Sequence, residues 1–222
     1  MPMGGLLAFD RCAWADADVA QLVAALRHAH AAGATTQAHN LRLAGNRLTD
    51  AALPPLVEAF EEGAMPRVDR LALDYNELSD AGLATLRPLL AGRLSGLVEL
   101  SFGSRLTADG ARVLAALVAE GHLAQLETLE LDGNRELGDA GTAAIAEAMA
   151  TGRLTRLTRL WLNGTGMGDA GAAALGAALG GAPALEKLVV GKNAFGAAAA
   201  EGLKAACKAR GVAAMADGFD AL

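Results

Sequence analysis

A short pattern of alternating apolar and other residues recurs along the whole chain. Four segments read apolar, any, apolar, any, any, Asn, and they start at Leu41, Leu71, Leu129 and Leu188. Three diverged copies lack this asparagine and start at Leu7, Leu100 and Leu160. The seven copies begin 28 to 34 residues apart, a period typical of proteins built from stacked repeats. We number these units repeats 1 to 7 in chain order.

Each repeat predicts a short strand followed by a helix. The paired apolar residues, such as Leu71 and Leu73, have the period of a strand with one buried face. Ser79 and Asp80 then resemble a helix start, because a hydroxyl caps free N–H groups and a carboxylate favours the positive helix end. Leu83, Leu86 and Leu90 would form the buried stripe of that helix.

The stacking of such units predicts a curved α/β solenoid. Neighbouring strands lie about 4.8 Å apart, whereas neighbouring helices need roughly 8–10 Å between their axes. The parallel sheet would therefore line the inner side of the curve and the helices the outer side. We use concave face for the first and third residues after the first leucine of each repeat, which should point away from the helices.

The repeats resemble the ribonuclease-inhibitor-like class of leucine-rich repeat proteins, whose consensus LxxLxLxx(N/C)xL carries a strand and whose remaining residues carry a helix. The resemblance extends over roughly residues 6 to 210. It implies a horseshoe-shaped solenoid of about seven repeats that forms a single domain over residues 1–222. Residues 1–40 would be an N-terminal capping repeat, 41–198 the central repeats, and 199–222 a C-terminal capping helix and tail.

The recurrent polar residues are interpreted as structural. Asn46, Asn76, Asn134 and Asn193 would satisfy backbone groups where each strand leaves the sheet, with Cys12 replacing asparagine in repeat 1. The glycines that recur after the strands are interpreted as packing residues near helix starts: Gly82, Gly110, Gly141 and Gly171. No Walker or dinucleotide-binding loop is present.

Composition narrows the candidate functions. The chain has 19 Lys and Arg against 25 Asp and Glu, a net charge of −6, which disfavours nucleic-acid binding. The apolar stretches are too interrupted to cross a membrane, and the N-terminus does not resemble a secretory signal. Cys12 and Cys207 form no disulfide framework, so we expect a cytoplasmic protein. We expect neither a cofactor nor a metal, since His28 and His30 would point to different faces of a helix.

The concave face is the predicted functional surface. Trp161 lies between the apolar residues of its strand, so it should be exposed, and tryptophan, tyrosine and arginine are enriched where proteins bind each other. The sequence favours a non-catalytic module that holds a protein partner of unknown identity on this face, and self-association stays open. The candidate partner-binding residues are Arg42, Asp74, Tyr75, Glu130, Asp132, Arg159, Trp161, Asn163 and Lys187.

The alternative is a regulator that acts on an enzyme in trans. The chain is also similar to the repeat domains of Ran GTPase-activating proteins, in which case Arg47, Arg105 or Arg135 could stabilise the charge of phosphoryl transfer. This chain lacks the strongly acidic tail usual in such activators. Polar residues are also well tolerated at these loop positions, so the three arginines alone do not identify a GTPase regulator.

Overall fold

A computed structural model describes residues 5–34 and 37–215. All strands in this part of the chain form one eight-stranded sheet, in which each strand pairs in parallel with the next one in sequence. The strands are β1 (Gly5–Ala8), β2 (Ala38–Arg42), β3 (Arg70–Ser79), β4 (Glu99–Arg105), β5 (Thr128–Glu130), β6 (Arg159–Trp161), β7 (Lys187–Val189) and β8 (Ala213–Met215).

A helix follows each of the first seven strands. The helices are α1 (Asp16–Ala31), α2 (Leu53–Glu61), α3 (Asp80–Ala91), α4 (Ala108–Ala119), α5 (Gly138–Ala150), α6 (Asp169–Ala178) and α7 (Ala197–Arg210). Short 3-10 turns at Asp50–Ala52 and Leu179–Gly181 precede α2 and follow α6. The predicted α/β solenoid, with a parallel sheet and one helix per repeat, is confirmed.

The sheet register aligns the repeats as the sequence pattern predicts. Leu7 pairs with Leu41, Leu41 with Leu71, and the same position continues through every later repeat to Leu188. From Leu41 onwards these leucines are almost fully buried, as are the apolar residues two positions later in the same repeats. The face of the sheet that carries the leucines therefore packs on the helices, and the concave face lies opposite.

Each helix contributes one apolar stripe to the core. Leu83, Leu86 and Leu90 of α3 are fully buried, as predicted. In α1 the fully buried residues are Val19 and Val23, whereas Leu22 and Leu26 are only half-buried. The stripe of α1 is less buried than that of α3, because α1 has a neighbouring helix on one side only and part of its surface faces solvent.

The C-terminal region contains one strand more than the sequence analysis predicted. Helix α7 begins at Ala197, and β8 then pairs with β7 through Lys187 and Ala213. The predicted cap of a helix and a tail is therefore a helix and an edge strand over the described residues, and residues 216–222 of that prediction lie outside them. The Ala-Ala-Met sequence of β8 carries no leucine pattern, so only stacking on β7 reveals the strand.

The asparagine ladder is confirmed. The side-chain amide of Asn76 donates to the carbonyl oxygens of Leu43 and Leu73, at 2.9 and 3.1 Å, and its oxygen accepts from the N–H of Leu48 at 3.1 Å. Asn46, Asn134 and Asn193 make equivalent bonds between adjacent repeats. Cys12 is a poor substitute, because its thiol is exposed and reaches only the carbonyl of Asp10, at 3.5 Å.

A second ladder, which the sequence analysis missed, links the helix starts. Asp80, the first residue of α3, accepts hydrogen bonds from the N–H and hydroxyl of Thr107 in the next repeat, at 3.0 and 2.6 Å. Asp16 does the same for Thr49, and Asp50 for Ser79. Ser79 also caps α3, as predicted, Thr107 caps α4, and Thr49 caps the 3-10 turn that precedes α2.

The recurrent glycines make room for this aspartate ladder. A Cβ added to Gly110 would collide with the carboxylate of Asp80, and one added to Gly82 would collide with that of Asp50. Gly171 lies so close to Asp139 that its N–H donates to the carboxylate at 2.8 Å. The predicted role of these glycines in packing is confirmed. The aspartate of the preceding repeat is the physical reason at three of them, whereas a Cβ on Gly141 would collide with Leu137 and approach Ala108.

Candidate functional site

Two open grooves lie side by side on the concave face, and Tyr75 lines both. The sheet groove, of about 610 Å³, is lined by Asp10, Arg11, Arg42, Ala44, Gly45, Ala72, Asp74, Tyr75, Glu99, Ser101 and Glu130. The loop groove, of about 630 Å³, is lined by Tyr75, Asp132, Gly133, Arg135, Asn163, Gly164, Gly166 and Lys192. Both grooves are open to solvent, so part of a larger molecule could enter either of them.

Tyr75 lies in β3 at a position where nearby repeats have glycine. Its φ angle is +52°, in the left-handed region, and the equivalent residues Gly45, Gly133 and Gly164 also have positive φ. Only glycine adopts this conformation without steric cost. The Tyr75 side chain is nevertheless 51% exposed, and its ring reaches across repeat 4 to within van der Waals range of a Cβ placed on Gly133.

Polar side chains at the third position of the concave face accept hydrogen bonds from the next repeat. Asp10 accepts from the N–H of Ala44 at 3.0 Å, and Asp132 accepts from the N–H and side-chain amide of Asn163 at 2.7 and 2.8 Å. Asn163 in turn accepts from the N–H of Gly191, at 2.7 Å. These bonds hold the carboxylates and the amide against the sheet, so their role is partly structural.

Asp74 occupies the same position but has no such bond. Its exposure is 7%, yet within residues 5–34 and 37–215 no side chain and no N–H of the neighbouring strand bonds its carboxylate. The residue opposite, in repeat 4, is Gly103, which has no side chain to offer. Burial raises the pKa of Asp74, its own backbone N–H opposes the rise, and the charges of Asp10 and Asp132 add to it.

Glu130 completes a concentration of negative charge. Burial, followed by the charges of Asp74, Asp132 and Glu99, raises the pKa of Glu130 from 4.5 to about 7. The hydroxyl of Ser101 donates to its carboxylate at 3.5 Å, which is a long hydrogen bond. Burial also raises the pKa of Asp132, against its bonds to Asn163. Such perturbed carboxyl groups in a groove are typical of functional sites.

The remaining candidate residues lie outside both grooves. Trp161 is half-buried rather than openly exposed, and the Lys187 ammonium lies 4.7 Å from the centre of its ring. Arg159 is exposed, and its Nε donates to the hydroxyl of Thr128 at 2.9 Å. The Lys187 side chain therefore covers one face of the Trp161 ring. Tyr75, not Trp161, is the more accessible aromatic residue on this face.

The structure thus divides the nine candidate residues into three sets. Arg42, Asp74, Tyr75 and Glu130 meet in the sheet groove, Asp132 and Asn163 line the loop groove with Tyr75, and Arg159, Trp161 and Lys187 line neither. Sequence reasoning missed Arg11 and Lys192 as groove residues. Both follow the third concave position, and both have positive φ, as Tyr75 does. A non-glycine residue where other repeats have glycine was the signal that could have found them.

The other candidate chemistries gain little support. No group of three or more His, Cys, Asp or Glu residues in the described part of the chain could hold a metal ion. Arg47, Arg105 and Arg135 are all exposed, but only Arg135 lines a groove. No helix within the described ranges is both long and apolar enough to cross a membrane. Both cysteines are free.

Comparisons with known proteins agree with the repeat architecture. A family model described as "Leucine Rich repeat" matches residues 122–146. The fold of the chain is a solenoid of parallel strands and helices, and this segment of it is similar to a leucine-rich repeat. Its fold is similar to the crystal structure of an internalin from Listeria monocytogenes, with a TM-score of 0.49 and 17% sequence identity. That comparison covers 90% of this chain and 56% of the internalin chain. No curated protein matches the chain in sequence.

Proposed function

We propose that this leucine-rich repeat chain is a non-catalytic module that binds a protein partner through its concave face. The observation that carries the proposal is Tyr75, a large aromatic residue that is 51% exposed at a backbone position where nearby repeats use glycine. Residues held in costly conformations cluster at sites of function. The match of residues 122–146 to a leucine-rich repeat family model supports a general role in protein interaction.

The shape and polarity of the grooves favour a protein over a small molecule. Small-molecule sites bury most of their ligand and are lined mainly by apolar side chains. Both grooves here are open, and charged or polar residues such as Asp74, Glu130 and Asn163 line them. A protein surface could contact both grooves at once, with Tyr75 between them as a central anchor.

The proposal also includes a repeat class and a cellular location. A helix in every repeat supports the ribonuclease-inhibitor-like class, in which the partner lies against the sheet. The free Cys12 and Cys207 support a cytoplasmic location, where thiols stay reduced. The alternative, a regulator of a GTPase, would use the exposed Arg135 at the edge of the loop groove. A rise in phosphate release from small GTPases that is lost in Arg135→Ala would favour that alternative.

The proposal is tested by affinity capture from the source organism with matched variants. Tyr75→Gly removes the anchor without introducing backbone strain, and Glu61→Gln changes a charge on the exposed surface of α2 as a control. Proteins captured by the wild type and by Glu61→Gln, but not by Tyr75→Gly, are then purified and titrated against all three. A purified partner that binds Tyr75→Gly as tightly as the wild type would overturn binding through the concave face.

A further inference from the structure

Asp74 is the exception in its row of the concave face. Asp10, Asp132 and Asn163 each accept a hydrogen bond from the next repeat, whereas the Asp74 carboxylate, which lines the sheet groove, accepts only from its own backbone N–H among the described residues. Asp74 is 7% exposed, and a single N–H donor leaves most of the acceptor capacity of its carboxylate unused. The arrangement leaves hydrogen-bonding capacity that is directed into the groove.

The positive charges near Asp74 are already engaged. Arg42 donates from Nε to Asp10 at 2.6 Å, and Arg70 lies 3.7 Å from Glu99. Glu130, on the far side of Ser101, forms no ion pair with any residue in the described ranges. Two carboxyl groups without a cation of their own therefore line the same groove, in a chain of net charge −6.

Tyr75 provides an aromatic surface next to these carboxylates. It follows Asp74 directly and lines the same groove, and it is the chain's single tyrosine. A guanidinium or ammonium group gains both from hydrogen bonds to carboxylates and from contact with an aromatic ring. The adjacent residues Asp74 and Tyr75 therefore offer the two kinds of contact that a basic side chain uses best.

We propose that the sheet groove between Asp74 and Glu130, beside Tyr75, binds the cationic end of an arginine or lysine side chain of the protein partner. This inference rests on the proposed function, because it identifies the chemistry that the concave face recognises. A guanidinium carries five N–H donors and no acceptor, so it can supply the donors that Asp74 lacks and neutralise the charge shared with Glu130.

The test uses defined probes and the single tyrosine as reporter. N-acetylarginine amide and N-acetyllysine amide are titrated into the full chain, with the neutral N-acetylcitrulline amide and N-acetylnorleucine amide as matched probes. NMR signals of the Tyr75 ring report binding at the groove. We expect the basic probes to bind about tenfold more tightly than their neutral counterparts, the ratio expected for one charged hydrogen-bonded contact. Asp74→Asn should abolish this discrimination, and Glu61→Gln should leave it unchanged.

Glu130→Gln guards against a folding defect in Asp74→Asn, because it should weaken the basic probes severalfold without touching the Asp74 position. Equal binding of basic and neutral probes to the wild type would overturn the inference, as would discrimination that survives both Asp74→Asn and Glu130→Gln. Calcium that competes with the basic probes and binds more tightly than they do would also overturn it. The proposed function fails separately, since it depends on whether Tyr75→Gly loses the captured protein.

Discussion

Three residues next to the third position of the concave face have a backbone conformation that suits glycine better. Arg11, Tyr75 and Lys192 have φ angles of +54°, +52° and +57°, and all three line a groove. A left-handed conformation costs a residue with a Cβ roughly 1–2 kcal/mol. The sequence predicted Tyr75 as a residue that flanks the concave face. Its positive φ angle is known only from the structure, because the hydrophobic pattern does not determine the backbone conformation of a single residue.

Replacement of Tyr75 by glycine should separate stability from binding. The variant removes the steric cost of the positive φ angle, so the free energy of unfolding should stay the same or rise by up to about 1 kcal/mol. Affinity for the captured partner should fall at least tenfold, since an exposed aromatic anchor is lost. Urea unfolding and binding titrations measure the two effects. A large loss of stability would show that Tyr75 acts mainly in packing.

Glu130→Gln should change how stability depends on pH. The carboxyl is protonated in both states below pH 4.5, but between pH 4.5 and about 7 the unfolded chain loses this proton while the folded chain retains it. This group therefore makes the fold less stable as pH rises through that window. The variant should match the wild type near pH 4 and be more stable by about 1–2 kcal/mol at pH 8, after allowance for solvent screening.

Urea unfolding of both proteins at pH 4, 6 and 8 checks this expectation. Comparison at each pH cancels the titration of carboxyl groups elsewhere in the chain. Asp74, Asp132 and Glu99 face Glu130 and contribute to its raised pKa, so part of the gain comes from relief of their repulsion. A constant stability difference across the three pH values would argue against a perturbed carboxyl at this position.

At the scale of elements, recurrence decided what the sequence could reveal. Asn76 and its equivalents recur at one fixed place in the strand pattern, which identified the ladder before its bonds were known. The aspartate ladder escaped notice because Asp80 serves Thr107, a residue of the next repeat. The sequence showed Asp80 only as a charge near its own helix end. The pairing depends on how consecutive helices stack, and no local pattern records that.

Asp80→Ala should destabilise the fold by about 1–2 kcal/mol. The change leaves the N–H of Thr107 without its acceptor and removes the bond from the Thr107 hydroxyl, at the junction between α3 and α4. Asp109→Ala is the control, because Asp109 is an acid in the first turn of α4 whose side chain is 80% exposed and pairs only with Arg112. It should cost less than about 0.5 kcal/mol. Thermal and urea unfolding compare the two variants.

At the scale of the whole molecule, the sequence predicted the sheet order and the number of repeats because each repeat contacts mainly its neighbours. It did not predict the grooves. These depend on the backbone conformation of residues such as Tyr75 and on which carboxylates are already bonded, as Asp132 is to Asn163. Strand alternation and flanking positions selected the nine candidate residues, but only the three-dimensional contacts separate those in the grooves from Arg159, Trp161 and Lys187.

Removal of residues 1–33 should destroy the cooperative fold. The deletion removes β1 and α1, including Val19 and Val23, which are fully buried against the rest of the core. It also breaks the bonds from Asp16 to Thr49 and leaves β2 as an open edge, with the carbonyl of Arg42 no longer bonded to Phe9. An exposed apolar edge of this kind favours aggregation.

Light scattering and thermal unfolding test the deletion against a graded point variant. Val23→Ala in the full chain should remain monomeric and lose about 1–3 kcal/mol, because it removes buried methyl groups while the edge strand stays covered. The deletion should instead aggregate or show no cooperative transition, since repeat 2 would lose the strand and the helix that cover it on its N-terminal side. A truncated chain that stays monomeric and melts cooperatively near the wild-type temperature would show that repeat 1 does not cap the solenoid, and that β2 tolerates an open edge.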